Sequence, residues 1–403
     1  MNRIIILGIY SFFLFSCTKE KAESPLAVSQ ENSPAGSQSA EPFLFTDKKG
    51  ITYLSWIEKK DTVHQFKYAT MQTGDWSEPT LIAESNNWFV NWADYPMIAS
   101  DGEQNIISHV LSKSGPGTFA YDVKMFASND GGKDWSNSFV IHDDGKQAEH
   151  GFVTMVPYKE NLFVSWLDGR NTVMEGMENM ESDAHGGHHG AMSLRGAIVD
   201  YQGNKIDEWE LDNKTCDCCQ TGATITDNGP IVVYRDRSDE EIRDMSIVRL
   251  VNGQWTTPKT IFPDNWKIAG CPVNGPRVEA IGNSLAIAWY TVSQEVAQVN
   301  VIFSTDGGAN FEKPIRIDEG HAVGRVDLVM LDIDNAMVSW MEGTDIKAVK
   351  VNRDGSKGTP VVIATSFDSR SSGFPQMTKS GNQLVFAWTD DTEKKVKVAS
   401  IQL

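Results

Sequence analysis

An aromatic residue closes the same short phrase six times along this chain. Trp56, Trp166, Tyr234, Trp289, Trp340 and Trp388 end Tyr-Leu-Ser-Trp, Phe-Val-Ser-Trp, Val-Val-Val-Tyr, Ala-Ile-Ala-Trp, Met-Val-Ser-Trp and Val-Phe-Ala-Trp. Asn-Ile-Ile-Ser-His puts His109 at a seventh such place. The spacing runs from 48 residues (Trp340 to Trp388) to 68 (Trp166 to Tyr234), room for about four short strands per unit. No stretch has helical periodicity. Fanning such units about an axis also removes the exposed edges that one long open sheet would have. The expected fold is therefore all-β, a β-propeller with seven blades beginning near Pro42, Tyr95, Phe152, Thr221, Pro276, Val326 and Phe374. The last unit has room for only three strands before Leu403, so a strand from around Leu26 to Ser29 is expected to close the ring.

The turns carry a second signature. In Ser128-Asn129-Asp130-Gly131-Gly132-Lys133-Asp134-Trp135 and Ser304-Thr305-Asp306-Gly307-Gly308-Ala309-Asn310-Phe311, an Asp can accept backbone N–H groups across a tight hairpin. Two glycines supply positive φ and the aromatic packs inward. Thr73-Gly74-Asp75-Trp76 and Asn252-Gly253-Gln254-Trp255 look like eroded copies. The full copies resemble the Asp box of sialidase-superfamily propellers, and the resemblance covers residues from about 42 to 401 as architecture. It implies Asp boxes on the face opposite the ligand, and six blades. The repeat count gives seven, and we follow the count.

The N-terminus reads as an address. Arg3 precedes an apolar run, Ile4 to Phe15, too short for a comfortable membrane span but the right size for a signal-peptide core. It closes on Leu14-Phe15-Ser16-Cys17, which resembles a bacterial lipobox and implies a signal peptide at 1–17 and acylation of Cys17. Residues 18–41 read as a flexible tether before a propeller at 42–403. The expectation is an exported chain in the cell envelope, held at a membrane by its lipid. No Asp follows Cys17, which points to the outer membrane. With 54 acidic against 36 basic residues the formal net charge is −18, which argues against nucleic acid as a general partner.

In a propeller, the loop entering each innermost strand and the loop joining strands two and three share one face. Cys216-Asp217-Cys218-Cys219 and Cys271 precede the innermost strands of successive units, so their sulfurs are expected to be neighbours. Three readings stay open: structural disulfides, which an oxidising compartment favours; thiolates around a soft metal ion; and a reactive thiol pair. A long excursion at 171–193 carries Met174, Met177, Met180, His185, His188, His189 and Met192. Thioethers and imidazoles are ligands that copper prefers, and a loop of this kind suits capture or transfer of metal better than catalysis.

Arginines and carboxylates complete the candidates. Asp168-Gly169-Arg170 and Tyr234-Arg235-Asp236-Arg237 leave second strands, and Arg325 and Arg370 precede later innermost strands. The sialidase resemblance implies an arginine cluster for a substrate carboxylate, a Tyr nucleophile (Tyr234 or Tyr290) and an Asp acid/base (Asp168 or Asp236). The carboxylate two residues after the aromatic recurs as Glu58, Asp168, Asp236, Glu342 and Asp390, which suggests that each ties down its own loop. The Arg-Ile-Pro signature that many sialidases carry near their start is absent; Glu41-Pro42-Phe43 stands instead. The reading preferred on these residues is a binder of a glycan or small anionic ligand on an Arg- and Cys-lined axial face, with copper for the His/Met loop. The alternatives are a sialidase-type glycoside hydrolase and a scaffold without catalysis.

Overall fold

A computed structural model describes residues 26–173 and 190–403. The leader, Cys17, and the loop residues Met174, Met177, Met180, His185, His188 and His189 lie outside the described residues.

The strands form seven antiparallel sheets. Blade 1 runs through Ser39–Thr46, Thr52–Lys60, Val63–Met71 and Thr80–Ser85, and the pattern recurs with first strands at Ile98–Ser100, His150–Tyr158, Gly222–Thr226, Arg277–Ile281, Ala322–Met330 and Gln376–Ser380. First strands of consecutive blades touch all the way round, blade 7 meeting blade 1, so the sheets fan about one axis. Seven blades are present, as the aromatic repeat predicts. Closure also follows expectation. Val28–Glu31 pairs antiparallel with the last strand, Lys395–Gln402, in the register Val28↔Ile401 to Glu31↔Val398. The boundary expected at residue 42 is therefore too late, because 28–31 complete blade 7 and Ser39–Thr46 begins blade 1. The polar composition that reads as tether fits an outermost strand with one wet face.

Each repeated aromatic sits on a second strand. Those strands are apolar without alternation because blades stack face to face and bury both of their sides. Trp56, Trp166, Trp289 and Trp340 are fully buried. Three indoles donate to the carboxylate two residues on, Trp56 to Glu58 (3.3 Å), Trp166 to Asp168 (2.8 Å) and Trp340 to Glu342 (2.6 Å). In blade 5 Thr291 holds that place, and Trp289 donates instead to Asp264 at 2.6 Å. At Glu58, Asp168 and Glu342 the recurring carboxylate is thus a structural partner of the aromatic, whereas Asp390 accepts the backbone N–H groups of its own loop at Thr392 and Glu393. His109 accepts the Met97 N–H at Nδ1 (3.3 Å), and burial pushes it down to about 3, a neutral filler of the tryptophan place.

Both Asp boxes form as expected. Asp130 accepts the backbone N–H groups of Lys133 and Asp134, Asp306 accepts that of Asn310, and the glycine pairs have φ between 68° and 86°. They join third to fourth strands, hence lie on the lower face. Apolar clusters lie between neighbouring blades, as with Leu54, Trp56 and Val385 between blades 1 and 7. No blade has a core of its own, so the ring is the smallest unit that buries these side chains.

Candidate functional site

Antiparallel succession puts the loops before first strands and those between second and third strands on the upper face. Cys216, Cys218 and Cys219 lie in the loop before blade 4, and Cys271 in the loop before blade 5. The Cys216 sulfur is 3.9 Å from that of Cys218 and 3.7 Å from that of Cys219. The sulfurs of Cys216, Cys218 and Cys219 lie within 4.8 Å of one another, and Cys271 is hydrogen-bonded to Cys218, so the two loops meet through their thiols. All four are free in this structure. Four sulfurs bound at about 2.3 Å to one ion would stand about 3.8 Å apart, so the observed spacing is that of a coordination edge.

The surroundings favour thiolate. The Cys216 N–H donates to the Arg235 carbonyl (3.1 Å) and fixes the loop against the end of the second strand. Arg243 donates from Nη1 to the Cys216 sulfur at 3.0 Å and from Nη2 to Glu241 at 2.6 Å. Arg237 joins Glu241 (2.8 Å) to Asp217 (2.9 Å), bracing the same turn. Burial opposes ionisation of Cys216, yet hydrogen bonds from Cys218 and Cys219 and the charges of Arg243 and Arg235 bring its thiol well below the ordinary range. The hydrogen bond from Cys218 likewise lowers Cys271. Cys218 rises as a donor to its neighbours, and burial pushes Cys219 up to about 12. Two sulfurs thus tend to thiolate and two serve them as donors.

Beside the thiols lies a group that the sequence did not single out. Tyr121 donates to Glu149 at 2.7 Å, and Asp94 accepts the Phe152 N–H at 2.8 Å. Burial, then the charges of Asp94, Asp217 and Cys271, push Glu149 up to about 8, and burial pushes Asp94 to about 7. Glu149 immediately precedes the first strand of blade 3, close to the placement that pointed to the cysteines, and that was the available signal.

The arginines do not converge on a free anion pocket. Arg235 donates to the carbonyls of Asn274, Arg243 and Tyr290 and stacks on Trp266. Arg325 donates to the carbonyls of Gly373, Asp368 and Ser369 and to the Ser372 hydroxyl, under Trp92. Arg170 grips Asp168 through Nε and Nη2, both at 2.8 Å, while Asp168 also holds Trp166. Arg370 is exposed on the 3₁₀ turn Arg370–Ser372. Tyr234 is buried with its hydroxyl on Asp212. Asp236 accepts from the Arg237 N–H (2.6 Å) and the Ser246 hydroxyl (2.9 Å), and Tyr290 packs edge-on against Trp266. Met192 lies in the apolar core, its carbonyl accepting the Thr215 N–H, rather than among loop ligands.

No protein-family model matches the chain, and no curated protein matches it significantly in sequence. Similar solved structures include the Hadza microbial sialidase Hz136 (TM-score 0.42, 12% identity, 75% of this chain and 63% of that one). NanB sialidase from Streptococcus pneumoniae is another (TM-score 0.45, 10% identity, 94% of this chain and 92% of that one). A puromycin hydrolase is similar at a TM-score of 0.52 and 9% identity over 88% of this chain and 50% of its own length. This chain thus spans less than two thirds of the length of the first and half that of the last. At such identities the likeness concerns the fold alone, a β-propeller.

Proposed function

We propose that the protein is an exported, lipid-anchored propeller that binds a soft metal ion, preferentially copper, through Cys216, Cys218, Cys219 and Cys271 on its upper face. The observation that carries this reading is the spacing of free sulfurs at 3.7 and 3.9 Å with Arg243 donating to one of them. The preference for copper rests on the Met- and His-rich composition of the sequence at 174–189. The membrane partner rests on the lipobox alone. Metal analysis of the reduced, purified protein tests the reading. The expected result is one copper ion per chain, lost in Cys216→Ser and Cys219→Ser. Zinc in its place would remove the copper assignment; no bound metal and no affinity for either ion would overturn the whole.

One observation favours a second reading, a sialidase-type hydrolase: buried Tyr121 and half-buried Glu149 form a Tyr–carboxylate pair of the kind such chemistry uses. Against it stands the commitment of Arg235 and Arg325 to backbone carbonyls. Turnover of a fluorogenic sialoside, abolished in Tyr121→Phe, would establish this reading and displace the first.

A further inference from the structure

We infer that Cys271 is a redox modification site, the thiol at which a small-molecule disulfide enters the cluster, and that Cys218 completes the exchange as a disulfide joining the loops before blades 4 and 5. The four sulfurs differ in reach. Cys216 and Cys219 are 0% and 2% exposed, Cys218 is half-buried, and Cys271 is exposed. Thiol–disulfide exchange depends on access to the attacking sulfur, so the order of exposure is the order of reaction. Cys271 is the thiol that solvent reaches, and it is in hydrogen-bond contact with Cys218, the next one in.

The two loops are also held unequally. The Cys216 N–H donates to the Arg235 carbonyl and its sulfur accepts from Arg243 at 3.0 Å, which pins the inner loop. Residues 269–273 make no backbone–backbone hydrogen bond among the described residues, the last before them running from the Ile268 N–H to the Glu241 carbonyl. Cys271 stands between Gly270 and Pro272. A Cβ at Gly270 would meet only the Ile268 side chain, at 3.8 Å, and a following proline favours extended backbone at Cys271. A segment so loosely tied can close a sulfur contact to a bond of about 2.0 Å. Cys216 and Cys219, with sulfurs 3.7 Å apart in Cys-x-x-Cys spacing, are the competing pair. Burial shields both of them, and Arg243 occupies Cys216.

The exchange balances in two steps. Cys271 attacks one sulfur of the small disulfide, forms a mixed disulfide and releases one small thiol, which leaves with the Cys271 proton. Cys218 then attacks the Cys271 sulfur, forms the Cys218–Cys271 bond and releases the second small thiol with its own proton. The cysteine pair loses two electrons and the small disulfide gains them. No metal takes part. The consequence for metal does rest on the thiolate reading above: the new bond withdraws Cys218 and Cys271 from the ion, so oxidation empties the site.

The test treats the reduced, metal-free full chain with oxidised glutathione, alkylates the remaining thiols after denaturation and maps every cysteine by peptide mass spectrometry. Wild type is expected to show a Cys218–Cys271 disulfide, with Cys216 and Cys219 alkylated. Cys218→Ser should stop at a glutathione mixed disulfide on Cys271, and Cys271→Ser should form neither product. A first product joining Cys216 to Cys219, glutathione appearing first on Cys216, Cys218 or Cys219, or oxidation of Cys218 at the wild-type rate in Cys271→Ser would overturn the inference. A second arm oxidises the metal-loaded protein: loss of the ion as Cys218–Cys271 forms is expected, and an ion retained beside that disulfide overturns the emptying step. A chain that forms the disulfide yet binds no metal when reduced supports the exchange and removes the metal reading instead.

Discussion

Replacing Arg243 by Met keeps most of the side-chain volume and removes the charge that lies 3.0 Å from the Cys216 sulfur. A hydrogen bond to a charged group is worth about 1.5–3 kcal/mol, and Arg243 is buried, so little of that is lost to solvent screening. A loss of about 2 kcal/mol of thiolate stabilisation raises the Cys216 thiol, and at about 1.4 kcal/mol per tenfold it sets the scale of the effect. Metal binding needs the thiolate, so proton competition at neutral pH should weaken affinity by about thirtyfold. The sign sets the pH dependence. The thiol is lowered in the fold, so thiolate stabilisation is present above the unfolded thiol pKa and fades as pH falls through the folded one. The difference between wild type and Arg243→Met should therefore be large near neutrality and shrink above the variant's thiol pKa. A colorimetric Cu(I) chelator competition across pH, with a thiolate absorbance titration of the metal-free protein, measures both quantities. Equal affinities and equal titration curves in a variant with wild-type circular dichroism would refute the reasoning.

Further expectations concern the fold. Removing residues up to Glu31 strips four backbone pairs from the last strand, a loss of about 4 kcal/mol at roughly 1 kcal/mol each, and bares an edge at Lys395–Gln402; urea unfolding and light scattering report both. Arg325→Met should cost about 2–4 kcal/mol of stability, seen as a lower urea midpoint, because its carbonyl partners lose a buried charged donor. Trp340→Phe leaves Glu342 without its indole partner and should cost about 1–3 kcal/mol by the same measurement. Burial raises Glu279 from 4.5 to about 7 in the fold, so ionisation of the unfolded chain erodes stability as pH rises from 4.5 to 7. Glu279→Gln should accordingly match wild type in melting temperature near pH 4 and exceed it at pH 8.

How far the molecule could be read in advance depended on whether a property is local or closes across blades. The aromatic phrase is local, since burial of both faces of each second strand demands the same run of apolar residues, and so seven blades were legible. The meeting of Cys216 and Cys271 was legible too, because loops before successive first strands must be neighbours. The role of Arg235 and Arg325 was not. Their guanidinium groups are consumed by carbonyls of other blades, at Asn274 and Tyr290 for one and at Asp368 to Gly373 for the other, and carbonyls leave no mark on side-chain composition.

The borrowed outer strand of blade 7 sets how the molecule would stand on a surface. It pairs antiparallel with Lys395–Gln402, so Val28 sits at the Asp-box end of the blade and Glu31 at the end where the thiols lie. Whatever precedes residue 28 arrives at the rim on the Asp-box side. A lipid at Cys17 would then hold the ring with its thiol-bearing loops turned outward, away from the bilayer.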